Sequence, residues 1–127
     1  MAISDHARIR ALRSACIAHA VHDGMTDLIY VLLPIWQAQF AISYAMAGLM
    51  RGLYSGVMAG LQIKASQLSK RFGRRAMLVT GTALAEIGYL LAGQAGGIVG
   101  VCAALAFSGM GASIQHPLAS SLVADTH

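Results

Sequence analysis

Six polar side chains recur along one stretch near the N-terminus: His19, His22, Asp23, Thr26, Asp27 and Tyr30. Their spacing puts all six on one face of a helix. Imidazole titrates near neutrality. A carboxyl group holds its proton more tightly when buried and less tightly beside a guanidinium. Together these types suit proton transfer. The stretch around them is apolar from about residue 12 to Trp36, long enough to cross a bilayer. An ionised group at the bilayer centre costs a few kcal/mol, so the stripe is expected to face a partner helix or a water-filled cavity. Two carboxylates and two histidines on one face point to a pathway for protons or substrate.

Arg51 is the natural counter-charge. It lies in the next apolar stretch, at the depth of Thr26 and Asp27 when residues are counted equally from the turn at 37–42. An Asp27–Arg51 ion pair is expected, with Asp23 as the second choice. A substrate that displaced Arg51 from Asp27 would drive protonation of the carboxylate, and His22 could shuttle the proton. Glu86, near the middle of a third apolar stretch, is a third buried charge, read equally well as a pathway residue or an internal hydrogen-bond partner. His116 stands beside Pro117, which removes a helix hydrogen bond. It serves the kink or a ligand with equal ease.

Four elements would position these residues: helices at about 12–36, 43–63, 76–93 and 98–124. The expectation is an all-α, polytopic membrane protein. Composition agrees, with 57% hydrophobic and 11% charged residues. A soluble domain carries about 25% charged residues. Nine Lys/Arg against five Asp/Glu give a net charge of +4. The basic residues flank apolar runs instead of forming a nucleic-acid face, so no nucleic-acid partner is expected. Arg8, Arg10 and Arg13 precede the first run; Lys64, Lys70, Arg71, Arg74 and Arg75 fill the second loop. The first and third loops hold no Lys or Arg. By the positive-inside rule, both termini and the middle loop are cytoplasmic. Neither a metal nor a cofactor is expected: the histidines are scattered, and no phosphate-cradling loop is present. No enzyme site emerges.

Small residues mark packing surfaces. Gly48, Gly52, Gly56 and Gly60 form a ridge of G-x-x-x-G repeats that would let another helix approach closely. Gly109 and Gly111 suggest the same in the fourth stretch. Tyr44, Gly48, Arg51, Ser55, Met58 and Gln62 make a more polar face of the second stretch, expected to line a cavity.

The stretch Ser66-Gln67-Leu68-Ser69-Lys70-Arg71-Phe72-Gly73-Arg74-Arg75 resembles the G-x-L-x-D-R-x-G-R-R loop between helices two and three of major facilitator superfamily transporters. Leu68, Arg71, Gly73, Arg74 and Arg75 match. Ser66 stands in place of the first glycine, and Lys70 in place of the acid. The resemblance implies that this loop gates the cytoplasmic side. His22-Asp23, Leu32-Leu33-Pro34, Ser43-Tyr44, Gly48-Leu49, Gln62, the run Gly109 to Ser113 and His116-Pro117 resemble the fosmidomycin-resistance type of efflux transporter. Leu105 occupies the position where several drug exporters carry a helix-four arginine.

Members of that superfamily usually have twelve helices in two halves built from three-helix repeats. The resemblance therefore implies that residues 1–127 are the truncated N-terminal portion of a transporter, part of the first half. The expected function is proton-coupled efflux of a small molecule or drug across the bacterial inner membrane. The expected partners are the lipid bilayer, substrate and protons, and the missing transporter helices or another membrane chain. Two other readings fit part of the pattern. One is a self-contained four-helix dimer like the small multidrug resistance proteins. The other is a non-transporting membrane interaction protein that uses the glycine ridge.

Overall fold

The computed structural model describes residues 5–124, and every regular element among them is a helix. The order is α1 (Asp5–Thr26), α2 (Leu28–Phe40), α3 (Tyr44–Phe72), α4 (Arg74–Gln94) and α5 (Ile98–Ala124).

The first expected span is thus two helices, interrupted at Asp27. Around Asp27 the hydrogen bonds change register: the Tyr30 N–H donates to the Asp27 carbonyl at 3.0 Å, three residues back. A regular helix would send that N–H to Thr26, four residues back. The local sequence favours a weak point, since Gly24, Thr26 and Asp27 are all poor interior helix residues.

The expected turn at 37–42 contracts to Ala41–Ser43. Ala41 takes a left-handed conformation (φ 50°) and closes α2 through its N–H to the Gln37 carbonyl. Ser43 caps α3, its hydroxyl accepting from the Met46 N–H at 3.2 Å. The larger difference concerns the basic stretch 64–75. It is mostly helix, because α3 runs on to Phe72 and α4 begins at Arg74. Lys70 and Arg71 sit in the last turn of α3, where positive charge complements the partial negative charge of a helix C-terminus. Gly73 alone turns the corner, at φ 85° and ψ 142°, a conformation that side-chain-bearing residues rarely adopt.

Helix α5 is the hub. It packs most extensively on α4, then on α3, and also touches α1; α2 leans on α3. The main core joins Ile29 and Trp36 of α2, Met50 and Tyr54 of α3, Tyr89 of α4 and Leu105 of α5. A second cluster joins Ala65, Met77, Ile114 and Leu118 near the Gly73 corner. The α4–α5 contact depends on missing side chains. A Cβ on Gly88 would lie 2.5 Å from the Ser108 Cβ, and one on Gly111 would lie 2.4 Å from the Ala85 backbone nitrogen. The Ser108 hydroxyl crosses this seam to the Ala85 carbonyl at 2.9 Å.

Many large apolar side chains remain outside, among them Ile17, Leu49, Ile63, Val79 and Val99. That suits an apolar surrounding better than water. Two helices, Arg74–Gln94 and Ile98–Leu118, are long and apolar enough to cross a membrane by length and composition.

Candidate functional site: a polar cavity beside the interrupted helix

The α1–α2 interruption opens onto a cavity of about 270 Å³, lined by Asp23, Thr26, Asp27, Arg51, Tyr54, Met58 and His116. Helices α1, α3 and α5 thus each contribute a polar or charged wall. Of the six pathway residues expected from sequence, Asp23, Asp27 and Arg51 meet here. His19 and His22 stand immediately behind, on α1. Glu86 does not line this cavity; it sits on α4, half-buried, and its Oε2 is buried with no hydrogen-bond partner.

The interruption is held from a distance. The Thr26 carbonyl, freed by the register change, accepts the Tyr89 hydroxyl of α4 at 2.8 Å. Thr26 itself turns its hydroxyl onto the Asp23 carbonyl at 3.0 Å. Tyr89 is buried and lies 6.1 Å, ring centre to ring centre, from Tyr54 of α3. One tyrosine therefore ties the break between α1 and α2 to α4. Sequence pattern alone missed Tyr89, because nothing in its own neighbourhood marks it as the partner of a carbonyl on α1.

Arg51 differs from its expectation. No ion pair within 4 Å joins it to Asp27 or Asp23 among the described residues, and the one ion pair at this site is His19 Nε2 to Asp23 Oδ2 at 3.3 Å. The guanidinium instead donates to the Tyr30 hydroxyl at 3.0 Å and to the Ser55 hydroxyl. It lies over the rings of Tyr30 (5.1 Å) and Tyr54 (5.6 Å). Two ring faces and two hydroxyls within reach satisfy most of a cation's needs, and they come from α2 and from Arg51's own helix. The Arg51 Nε remains buried without a partner. The arginine and the carboxylates share the cavity but stand on separate walls, so negative and positive charge flank an open space.

The histidines gather on the α1–α5 side. His22 is 1% exposed. Its ring lies 6.0 Å from that of His116 on α5, and the His19 ring lies 6.1 Å from His116. Neither ring nitrogen of His22 has a hydrogen-bond partner. Among the described residues, no group of three His, Cys, Asp or Glu is placed to hold a metal ion.

The expected packing glycines divide. Gly109 and Gly111 of α5 sit in tight contacts, Gly109 against the Tyr54 carbonyl of α3. Gly48, Gly52, Gly56 and Gly60 have nothing within 4 Å of where a Cβ would stand, so within this chain the ridge on α3 is open. On the polar face of α3, Arg51 and Met58 line the cavity and Ser55 holds Arg51, while Tyr44 is 86% exposed. In the basic segment, Leu68 and Arg71 stand exposed on the last turns of α3, and Arg74 and Arg75 open α4 beyond Gly73.

Helices with many exposed apolar side chains, set around a polar cavity beside an interrupted helix, are compatible with a membrane transport protein. The chain belongs to the Major Facilitator Superfamily, whose family model matches residues 15–127. That is a family of transporters, not of enzymes. No curated protein and no solved structure matches the chain.

Proposed function

We propose that this protein takes part in proton-coupled efflux of a small organic molecule, in the manner of the fosmidomycin-resistance type of transporter. It would sit in a bacterial inner membrane with the basic segment 64–75 on the cytoplasmic side. The observation that carries the reading is the 270 Å³ cavity, with Asp23 and Asp27 on one wall and Arg51 on another. Charges placed this way inside an apolar bundle are expensive. They are explained by a cargo or a proton that visits them.

In this reading Asp27, which has no ion-pair partner among the described residues, is the carboxylate that binds and releases the proton. Arg51, steadied by Tyr30, Tyr54 and Ser55, receives the anionic or polar end of the substrate. Helix α5 completes the wall through His116. The charges at the Gly73 corner respond to opening and closing on the cytoplasmic side. The open ridge Gly48–Gly60 receives a further helix, either of the same transporter or of another chain.

The test is transport. Expressed from its own gene in a bacterial strain stripped of its major exporters, the protein should raise the inhibitory concentration of fosmidomycin or of an amphipathic dye at least fourfold. In inverted vesicles, the same compound should release protons from an acidified lumen. Asp27→Asn should abolish both while the protein remains in the membrane. Equal activity of Asp27→Asn and the parent would exclude Asp27 as the coupling carboxylate. Absence of any compound-dependent proton movement would sink the efflux reading.

A further inference from the structure

The His22–His116 contact is more than a polar patch between two helices. His22 is almost wholly buried, and both of its ring nitrogens lack a hydrogen-bond partner. A neutral imidazole carries one donor and one acceptor. Leaving both unused in the interior is costly, so such a ring is explained by a second arrangement in which at least one of them is used. The group within reach across the helix boundary is His116, with ring centroids 6.0 Å apart at 74°. Two imidazoles joined by an N–H···N hydrogen bond have centroids about 5 Å apart. The approach needed is therefore roughly 1 Å. Pro117 has no N–H, so helix α5 lacks one backbone hydrogen bond next to His116, and the helix can yield there. His116 also lines the cavity, whereas His22 does not.

We propose that His22 and His116 are a proton-sharing pair, with His116 the entry point from the cavity and His22 its buried partner. A proton from cavity water or from a cavity carboxylic acid adds to a ring nitrogen of His116. The resulting N–H donates to a lone pair of His22, drawing α5 toward α1. Release runs the same path backwards, and no other bond is made or broken. Two positive rings at this distance repel, so a second proton adds to the pair less readily than the first. The other charged or titratable groups acting on His22 are His19 and Asp23, both on its own helix. Asp23 is engaged by His19 at 3.3 Å. Helix α4, which also packs against α1, brings Tyr89 to the neighbouring Thr26 carbonyl. The assignment takes its purpose from the proton-coupled reading above, but its test does not depend on that reading.

The test is histidine titration followed by nitrogen NMR, on the full chain with labelled imidazoles in lipid nanodiscs. In the parent protein, the His22 and His116 signals should titrate together in two steps separated by about one pH unit or more. In a His19→Gln background, which removes the third ring at 6.1 Å from His116, His116→Gln should reduce His22 to a single step displaced by a comparable amount, and His22→Gln should do the same to His116. Either variant alone suffices if the other does not fold. His6→Gln, far along α1, should leave both curves unchanged. In that background, superimposable His22 curves with and without His116→Gln, or superimposable His116 curves with and without His22→Gln, would overturn the pair. Coupled titration without any transport would leave the pair standing and remove the efflux reading instead.

Discussion

Replacing Gly111 by alanine puts one methyl group between α5 and the backbone of α4. The new Cβ would fall 2.4 Å from the Ala85 nitrogen, 2.5 Å from the Gly81 carbonyl oxygen and 2.9 Å from the Leu84 carbonyl carbon. All three are backbone atoms and cannot rotate aside. Comfortable contact needs about 3.5 Å, so the helices must part by roughly 1 Å. The hydrogen bond from Ser108 to the Ala85 carbonyl spans the same seam at 2.9 Å and would be stretched beyond useful length. Overpacking of this kind costs about 1–3 kcal/mol, and losing a buried hydrogen bond adds about 1 kcal/mol. Alanine's better helix propensity returns about 1 kcal/mol. The net expectation is a destabilisation of about 1–3 kcal/mol. Gly93→Ala is the matched control, because its Cβ meets nothing within 4 Å and it lies off the open ridge of α3. Helix propensity alone should leave it neutral or more stable by up to about 1 kcal/mol. Unfolding by sodium dodecyl sulfate in mixed micelles, followed by far-ultraviolet circular dichroism, compares the two directly. Equal stability of the two variants would refute the account of the α4–α5 seam.

Two further substitutions probe the break and the corner. Tyr89→Phe removes the hydroxyl that caps the Thr26 carbonyl; it should cost about 1–3 kcal/mol because a buried acceptor is left unsatisfied, and hydrogen exchange at residues 26–30 should accelerate. Unchanged exchange there would mean that the interruption does not rely on Tyr89. Gly73→Ala forces a side chain into φ 85°, where nothing nearby obstructs a Cβ; the cost should therefore be backbone strain alone, about 1–3 kcal/mol, read in the same unfolding assay and absent if the corner simply relaxes.

The all-helical class was legible because long apolar runs and the turns between them leave strong marks, whereas the four expected spans became five helices. Helix α5 spans Ile98–Ala124, and of the polar stripe Asp23, Thr26 and Asp27 line the cavity with Arg51 while His19, His22 and Tyr30 do not. What escaped has particular causes. The carbonyl freed at the break, that of Thr26, is met by Tyr89, which is 63 residues away in sequence. The expected Asp27–Arg51 pair placed the two residues in the same cavity but not in contact, since counting along helices fixes depth and not which hydroxyl or ring the guanidinium will meet. The basic stretch looked like a loop because it is charged, yet Lys and Arg are good helix formers and only Gly73 departs. Glycine spacing could not say which ridge is filled. The regular series from Gly48 to Gly60 is open, whereas the less regular Gly81, Gly88 and Gly111 carry the tightest contacts.

The one-residue corner has a mechanical side. Helix α3 is 29 residues long, about 43 Å, and exceeds the roughly 30 Å thickness of a bilayer's hydrocarbon. Set across such a bilayer, α3 would hold its charged end clear of the lipid, and a tilt of about 10° pivoting at the cavity, roughly 30 Å away, would swing that end by about 5 Å. With only Gly73 between them, no slack chain absorbs the swing, and the first turn of α4 must be carried along. In that setting the two helices would act as a crank, in which a small change of angle at the cavity becomes a larger sideways stroke at the arginines.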